Sequence, residues 1–524
     1  MCTNAHTEYD SCITLAPMLR FIHQFHLRFR HTLRSSFRFF IYFVAFFLAA
    51  LAYWVSENFG APPLEQVLYH LQFGLDGLVD TDTALIHSFV QTCLVWPIGL
   101  ALLIVLIDTA IALFLSQNHQ HYFLAQMAGK LNLRLLKGTY WVIGHRAPAY
   151  MLVAGIIYFS MQFSILAFIH HQFGKDYFSA HYVYPEKIEI QAKAPKNLVL
   201  IYVESLENAY RDNALFGQNL LAKLDALGGE SFNQYRQAPG TGWTIAGITA
   251  TQCGLPLKSV SLYDGNGVGE NIKSFLPRAV CLGDILHQFG YYNVYMGSDA
   301  LPFSGKGKFF QDHHYDEVYG REELKGRLSK QQMNYWGLYD DTLLKHAKTK
   351  LAQLHAKKKR YSFVLTTIDT HGPDGYYSST CIKQGVHNFS GIVECTSGNV
   401  AEFVQWMKKR GYLKNTQVVI MGDHLAMENP VFEKIDTIKQ RHIYNQFISR
   451  RPIQKNRDEV LHFDMYPTII EFLGFEIIGG RLGLGYSAIS NNVPAPSDSY
   501  EEMEENLLNS SEQYLDLWKP KETP

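Results

Sequence analysis

Leu198-Val-Leu-Ile-Tyr-Val203 is an unbroken apolar run, and it ends abruptly in Glu204-Ser205. A short apolar stretch of this kind is the mark of a strand covered on both faces, as in the sheet of an α/β domain. Three more runs share its length and character: Tyr292 to Gly297, Tyr361 to Ile368 and Gln417 to Met421. Amphipathic stretches lie between them, at Leu220 to Leu227, Leu282 to Phe289, Leu338 to Leu354 and Val400 to Lys409, and these read as helices. The alternation defines an α/β domain from Asn197 to about Ser490.

In an open α/β sheet, ligands gather beyond the carboxyl ends of the strands. The first run ends in Glu204, the last in Gly422-Asp423-His424, and the run from Tyr361 in Asp369-Thr370-His371-Gly372. A carboxylate directly after a buried strand is costly unless it is paired or bound to a cation. Alone, such a Glu serves more often as an ordinary helix N-terminal residue. Three polar groups at equivalent strand ends instead suggest oxygen and nitrogen ligands suited to Mn2+, Mg2+ or Zn2+. A fourth signal is Pro239-Gly-Thr-Gly-Trp-Thr-Ile-Ala-Gly247. Its glycines permit a tight turn that sets Thr244 where a helix starts, near free backbone N–H groups able to hold a phosphate. A plain N-capping threonine accounts for that local sequence equally well.

Upstream of this domain the composition changes. Charged residues make up 18% of the chain, against about 25% in typical soluble proteins, and the apolar excess is N-terminal. Three stretches are long and apolar enough to cross a bilayer, which takes roughly 20 residues of helix: Phe39 to Val55, Phe89 to Leu115 and Tyr150 to Ile169. Arg20, Arg28, Arg30, Arg34 and Arg38 precede the first. The loop from Ser56 to Ala84 has no Lys or Arg but carries Glu57, Glu65, Asp76, Asp80 and Asp82. Lys130, Arg134, Lys137 and Arg146 follow the second. Basic segments stay cytoplasmic. Residues 1–38 are therefore expected inside, 39–170 in a membrane region, and everything after about His170 outside. The first span, followed by no small-residue cleavage site, reads as a retained anchor. A net charge of -1 gives no reason to expect nucleic acid as a partner.

Several smaller expectations follow. Asp108, inside the second span, should face a polar cavity or a partner, far from any chemistry. Cys253, Cys281, Cys381 and Cys395 fall outside, where they can pair three ways. Proximity favours Cys253–Cys281 and Cys381–Cys395, with buried free thiols as the alternative. Residues 171–196 read as a polar, proline-containing linker. The tail, 491–524, is rich in Glu and reads as a solvated appendage, although Met503, Leu507, Leu515 and Trp518 fit one helical face. Pro62 to Leu78 and Phe123 to Leu136 have helical apolar spacing. Both suit interfacial helices, and the outer one equally suits packing on the outer domain. His313 and His314 read as surface residues. His462 reads as structural, with a place behind the strand-end cluster as the alternative.

Val203-Glu-Ser205, Gly242-Trp-Thr244 and Gly422-Asp-His424, in that order, resemble the alkaline phosphatase/sulfatase superfamily. Within it they look like the lipoteichoic acid synthase and phosphoglycerol transferase branch, and most of all its members that modify osmoregulated periplasmic glucans. Gln252-Cys-Gly254, Cys281-Leu-Gly-Asp-Ile-Leu286, Trp336-Gly-Leu-Tyr-Asp-Asp341, Asp369-Thr-His371 and Arg481-Leu-Gly-Leu-Gly485 extend the likeness from Asn197 to about Ser487. The resemblance implies a mixed sheet flanked by helices, preceded by three transmembrane helices. It implies that Glu204, Thr244, Asp423 and His424 ligate one divalent cation, Mn2+ foremost, with Thr244 also the nucleophile. A threonine hydroxyl needs a metal or a base to act so at neutral pH.

The same likeness implies transfer of phosphoglycerol from phosphatidylglycerol to a periplasmic glucan or related glycan. The location implied is a bacterial inner membrane with the catalytic domain periplasmic. His371 is the candidate for protonating the leaving alkoxide or contacting phosphate, and Lys306 and Trp336 are candidates for binding substrate. Lys306, in Phe303-Ser-Gly-Lys306, falls where lipoteichoic acid synthases carry Trp-Asn-Arg; it offers a point charge instead of a fork and agrees with the glucan-modifying branch. Alternatives are phosphoethanolamine transfer to lipid A or another glycan, and a non-catalytic glycan-binding protein. A sulfatase activity ranks lower, because no Cys/Ser-x-Pro-x-Arg segment surrounds Thr244.

Overall fold

The four apolar runs become strands of one sheet, joined by two more that the sequence hides. In this computed structural model, which describes residues 9–59, 62, 64–73, 83–117, 141–142, 146–258, 274–357, 359–491, 493 and 499–521, the strands are β1 (Asn197–Val203), β2 (Tyr292–Gly297), β3 (Glu317–Tyr319), β4 (Tyr361–Thr366), β5 (Thr416–Gly422) and β6 (Asn445–Ile448). Their order is β3-β2-β4-β1-β5-β6. All neighbours are parallel except β5 and β6. β3 is three residues long and β6 begins Asn-Gln, so neither shows the apolar run that betrays the others.

The helices used below are α1 (Tyr9–Phe59), α2 (Leu64–Phe73), α3 (Thr83–Phe89), α4 (Trp96–Gln117), α5 (Ala147–Gln162), α6 (Ile165–His171), α7 (Thr244–Cys253), α8 (Leu282–Gln288), α9 (Asp340–Ala356), α10 (Phe389–Lys409), α11 (His462–Phe472), α12 (Tyr500–Asn506) and α13 (Glu512–Asp516). Alternate residues of β1 serve two cores. Leu198, Leu200 and Tyr202 pack with α7, α8 and α11, while Val199, Ile201 and Val203 pack with α9 and α10. This is why the run has no polar position. The expected helix at Leu220 to Leu227 shrinks to one turn, Ala222–Asp225. The one at Val400 is the second half of α10, which begins where Asn388 caps the Gly391 N–H.

The chain divides into two compact units, residues 1–56 with 84–163 and residues 57–83 with 164–524. In the first, Thr32–Phe59 and Leu85–Ala110 are long and apolar enough to cross a membrane. The third expected span differs: α5 and α6 meet at a 60° bend, so among the described residues the count is two, or up to three if the bent pair is one span. Ser164 at that break is left-handed, with φ 51°. Asp108 has its partner: Arg38 of α1 forms an ion pair with it. A Cβ at Gly155 would come within 2.7 Å of the Ala45 carbonyl oxygen, which shows how closely α5 approaches α1. The possible inner interfacial helix, Phe123 to Leu136, lies outside the described residues.

In the second unit, three expectations are corrected. The linker is part of the domain, because Tyr177, Phe178 and Tyr182 are buried and Ile190–Ala192 pairs with Phe475–Ile477. The tail is docked: Met503, Leu507, Tyr514 and Leu517 enter the same core as Tyr202, and Arg278 pairs with Asp516. Its apolar helical face outweighs the acidic composition. His313 is buried, its Nδ1 2.8 Å from the Asp284 carboxylate, whereas His314 stays half-exposed. The disulfides are Cys253–Cys281 and Cys381–Cys395. The helix α2, from the loop between the first two expected spans, packs within this unit through Tyr69.

Candidate active site

Register brings the polar strand ends together. Val203 lies opposite Gly422, and Tyr202 opposite Thr366. Glu204, Thr367 and Asp423 therefore leave the sheet at one edge. The Glu204 backbone N–H donates to the Thr367 hydroxyl at 3.1 Å, and the Thr370 hydroxyl donates to the Glu204 carbonyl at 2.6 Å. The Ser205 N–H donates to Asp423 Oδ1 at 2.9 Å, and the Ser205 hydroxyl to Glu204 Oε1 at 2.6 Å. Ser205 reaches both carboxylates from a left-handed backbone, φ 54°.

α7 approaches this edge end-on. Thr244 is its first residue, and its hydroxyl donates to Glu204 Oε2 at 3.3 Å. The approach depends on Gly247, where a Cβ would lie 2.0 Å from the Asp423 carbonyl oxygen. His462 of α11 seals the back of the cluster. Its Nε2 donates to that same carbonyl at 2.9 Å, and its Nδ1 meets the Thr241 hydroxyl at 3.1 Å. Burial lowers the His462 pKa to about 3, so the ring is neutral.

Glu204, Asp423 and His424 are buried and offer ligand atoms that all lie within 4.8 Å of one another. His424 Nδ1 donates to the Leu425 carbonyl at 2.8 Å, so in the neutral ring Nε2 carries the lone pair. That nitrogen lies 3.4 Å from Glu204 Oε1 and 3.5 Å from Asp423 Oδ2, with no hydrogen-bond partner among the described residues. Burial and the Glu204 charge push Asp423 up to about 6. Burial opposes the charged form of His424, yet Asp423 and Glu204 hold its pKa above the usual value. Burial would likewise raise Glu204, but His424, His371, Ser205 and Lys306 bring it below its ordinary range. Two crowded carboxylates and an orphaned imidazole nitrogen fit a divalent cation, with Thr244 beside them.

The remaining candidates fall on the rim. Trp336 stands between Phe303 and His371, with ring centroids 5.0 and 4.8 Å away. His371 Nδ1 donates to the Gly372 carbonyl at 2.7 Å. Lys306 is buried and bridges to Asp299, a residue the sequence reading missed. Asp299 follows β2 by two positions, the same strand-end signal that marks Glu204 and Asp423. Asp369 is not part of the cluster. Its Oδ2 accepts the Asp340 N–H at 3.0 Å while Asp340 Oδ1 accepts the Ile368 N–H at 2.8 Å, so the pair ties α9 to β4. Burial pushes Asp340 up to about 7 and, with the Asp340 charge, raises Asp369 as well.

Sheet, strand-end cluster and helix-borne hydroxyl together define an alkaline phosphatase-like α/β protein. The sulfatase family profile matches residues 196–475, more than half of the chain, and the chain belongs to that family. It is similar to phosphoglycerol transferase I of Shigella flexneri, at 36% identity over 354 residues, 66% of this chain and 44% of that protein. The chain thus spans less than half the length of the curated relatives it matches. Solved structures that resemble it include a lipoteichoic acid synthase from Listeria monocytogenes, at TM-score 0.44 and 19% identity over 60% of this chain and 76% of that one. Another is a Streptococcus pyogenes phosphoglycerol transferase in complex with sn-glycerol-1-phosphate, at TM-score 0.39 and 14% identity over 67% and 90%.

Proposed function

We propose that this chain is a membrane-anchored phosphoglycerol transferase that takes its donor, phosphatidylglycerol, from the bilayer and delivers phosphoglycerol to a periplasmic glucan or related glycan. The observation that carries the reading is the Thr244 hydroxyl, bonded to Glu204 beside a buried Asp423–His424 pair whose Nε2 is orphaned. The similarity to phosphoglycerol transferase I supports phosphoglycerol as the transferred group. The arginines before the first span and the acidic loop after it support a cytoplasmic N-terminus and a periplasmic outer domain in the inner membrane.

Glu204, Thr244, Asp423 and His424 would hold the cation, Mn2+ first and Mg2+ or Zn2+ as alternatives. Bound there, it supplies Lewis acidity that favours the alkoxide form of a hydroxyl and offsets charge on phosphoryl oxygens. Thr244 Oγ1 gives up its proton toward the Glu204 carboxylate and attacks phosphorus. The bond from phosphorus to the diacylglycerol oxygen breaks, and His371 supplies a proton to that oxygen. Phosphoglycerol stays on Thr244 as a phosphodiester. A sugar hydroxyl then attacks the same phosphorus and loses its proton to His371, and the Thr244 oxygen leaves, taking back the proton held by Glu204. Lys306 and Trp336 hold the phosphate and the glycerol or sugar moiety through charge and ring stacking.

Intact-protein mass spectrometry after incubation with phosphatidylglycerol and Mn2+ tests this. A phosphoglyceryl adduct on the wild type, absent from Thr244→Ala, is expected. An adduct formed only with phosphatidylethanolamine overturns the donor, and no adduct with either lipid overturns the transferase reading.

A further inference from the structure

The loop between the first two spans supplies a helix to the outer domain. At one end of α2, Glu65 accepts from His171 Nδ1 at 2.8 Å. At the other, Tyr69 is fully buried and its hydroxyl donates to the Ser304 carbonyl at 2.8 Å. The Tyr69 and His70 rings lie 5.7 and 6.1 Å from the Trp243 ring, and His70 lies 5.9 Å from Phe303. With Phe303, Trp336 and His371, these rings make a continuous wall from the residue before Thr244 to the opposite rim.

Ser304 is where this wall meets the chemistry. It is left-handed, φ 54°, a conformation a non-glycine residue keeps only when its surroundings hold it. Lys306 follows two residues later, buried against Asp299. Trp243 Nε1 and Ser304 Oγ are buried without a hydrogen-bond partner among the described residues. Two unsatisfied polar atoms on the residues that α2 touches are what a polar ligand would satisfy.

We propose that α2 is a working part of the active site and that Tyr69 is a positioning residue: its bond to the Ser304 carbonyl fixes the turn that aims Lys306 at the donor phosphate. This rests on the phosphoryl-transfer reading of the cleft. A segment that the sequence places between two spans thereby sets the geometry of the phosphate site.

The test is inorganic phosphate and sn-glycerol 1-phosphate binding to the full-length, Mn2+-loaded protein by calorimetry. Tyr69→Phe removes one hydroxyl and should weaken both ligands about tenfold, the size of one lost hydrogen bond, with Mn2+ affinity unchanged. In a Lys306→Gln background, where Gln still donates to Asp299, the same change should cost nothing further. Phosphate affinity equal to wild type, or an equal loss in both backgrounds, overturns the proposal. Neither measurement needs a lipid donor. An absent phosphoglyceryl adduct on the wild type would sink the transferase reading and leave this result standing.

Discussion

His424 directs an Nε2 without a hydrogen-bond partner among the described residues toward Glu204 Oε1, 3.4 Å away, from the same carboxyl edge of the strand adjacent to the one that carries Glu204. Folding alone does not explain such a contact. A buried imidazole nitrogen without a hydrogen bond costs stability, and so do two carboxylates that share its pocket. A cation resolves all three. Glu204→Gln and His424→Ala should each weaken divalent-ion affinity by more than about 100-fold, beyond what the loss of an outer-shell partner costs. Metal content of the purified variants by atomic emission measures this. Stoichiometric ion retained in both would remove the proposed ligand set.

Gly247 is where α7 and β5 come closest. A Cβ there would meet the Asp423 carbonyl oxygen at 2.0 Å and its carbon at 2.9 Å, both main-chain atoms that no rotamer change can clear. Gly247→Ala must therefore push Thr244 away from the cluster or displace Asp423. The expected cost is about 1–3 kcal/mol, as in other overpacked cores, with loss of bound metal. Thermal melting and metal analysis check it. A variant with wild-type melting and full metal content would show that α7 is freer to shift than its contacts imply.

The parts of this site that were legible in sequence are those where one residue breaks a strong pattern. Glu204 and Asp423 stand out because apolar strands end on them, and Thr244 because glycines surround it. Asp299 carried the same strand-end signal but sat behind a serine, in a run with no second polar neighbour to draw attention. Tyr69 could not be read at all as a site residue. Its spacing announces an amphipathic helix, and only the fold decides whether that helix lies on lipid or on protein. The tail misled for the converse reason: acidic composition argued for solvation, while four apolar side chains sufficed to dock it.

Docking of that tail is pH-dependent through Lys258. Its Nζ donates to the Asn509 carbonyl at 2.9 Å and faces the Tyr514 and Phe178 rings. Burial lowers its pKa from 10.5 to about 7, with the Asp176 charge opposing the shift. Below about pH 7 the folded and unfolded chains both hold the proton, and the folded state bears the full cost of the buried charge. Between about 7 and 10.5 the unfolded chain binds the proton and the folded chain does not, so stability rises with pH. Lys258→Met should therefore exceed wild type at pH 6, on the order of 3 kcal/mol, and the gap should close toward pH 10. Melting curves across that range measure it. A gap that is constant with pH would mean Lys258 titrates normally.

Lys306 and Asp299 separate stability from binding. Both side chains are almost wholly buried, at 4% and 6% exposure. Removing the lysine alone strands a buried carboxylate, so Lys306→Met should cost about 3–5 kcal/mol. Changing Asp299→Asn as well removes the stranded charge and should restore most of that loss, because replacing a buried pair by neutral groups is often close to neutral. Phosphate affinity should behave differently. If Lys306 supplies the charge that meets the donor phosphate, the double variant regains its melting temperature and still binds inorganic phosphate at least about tenfold more weakly than wild type, as expected for a lost charged hydrogen bond. Recovery of both properties together would make the ion pair purely structural and leave the phosphate to other groups in the cleft.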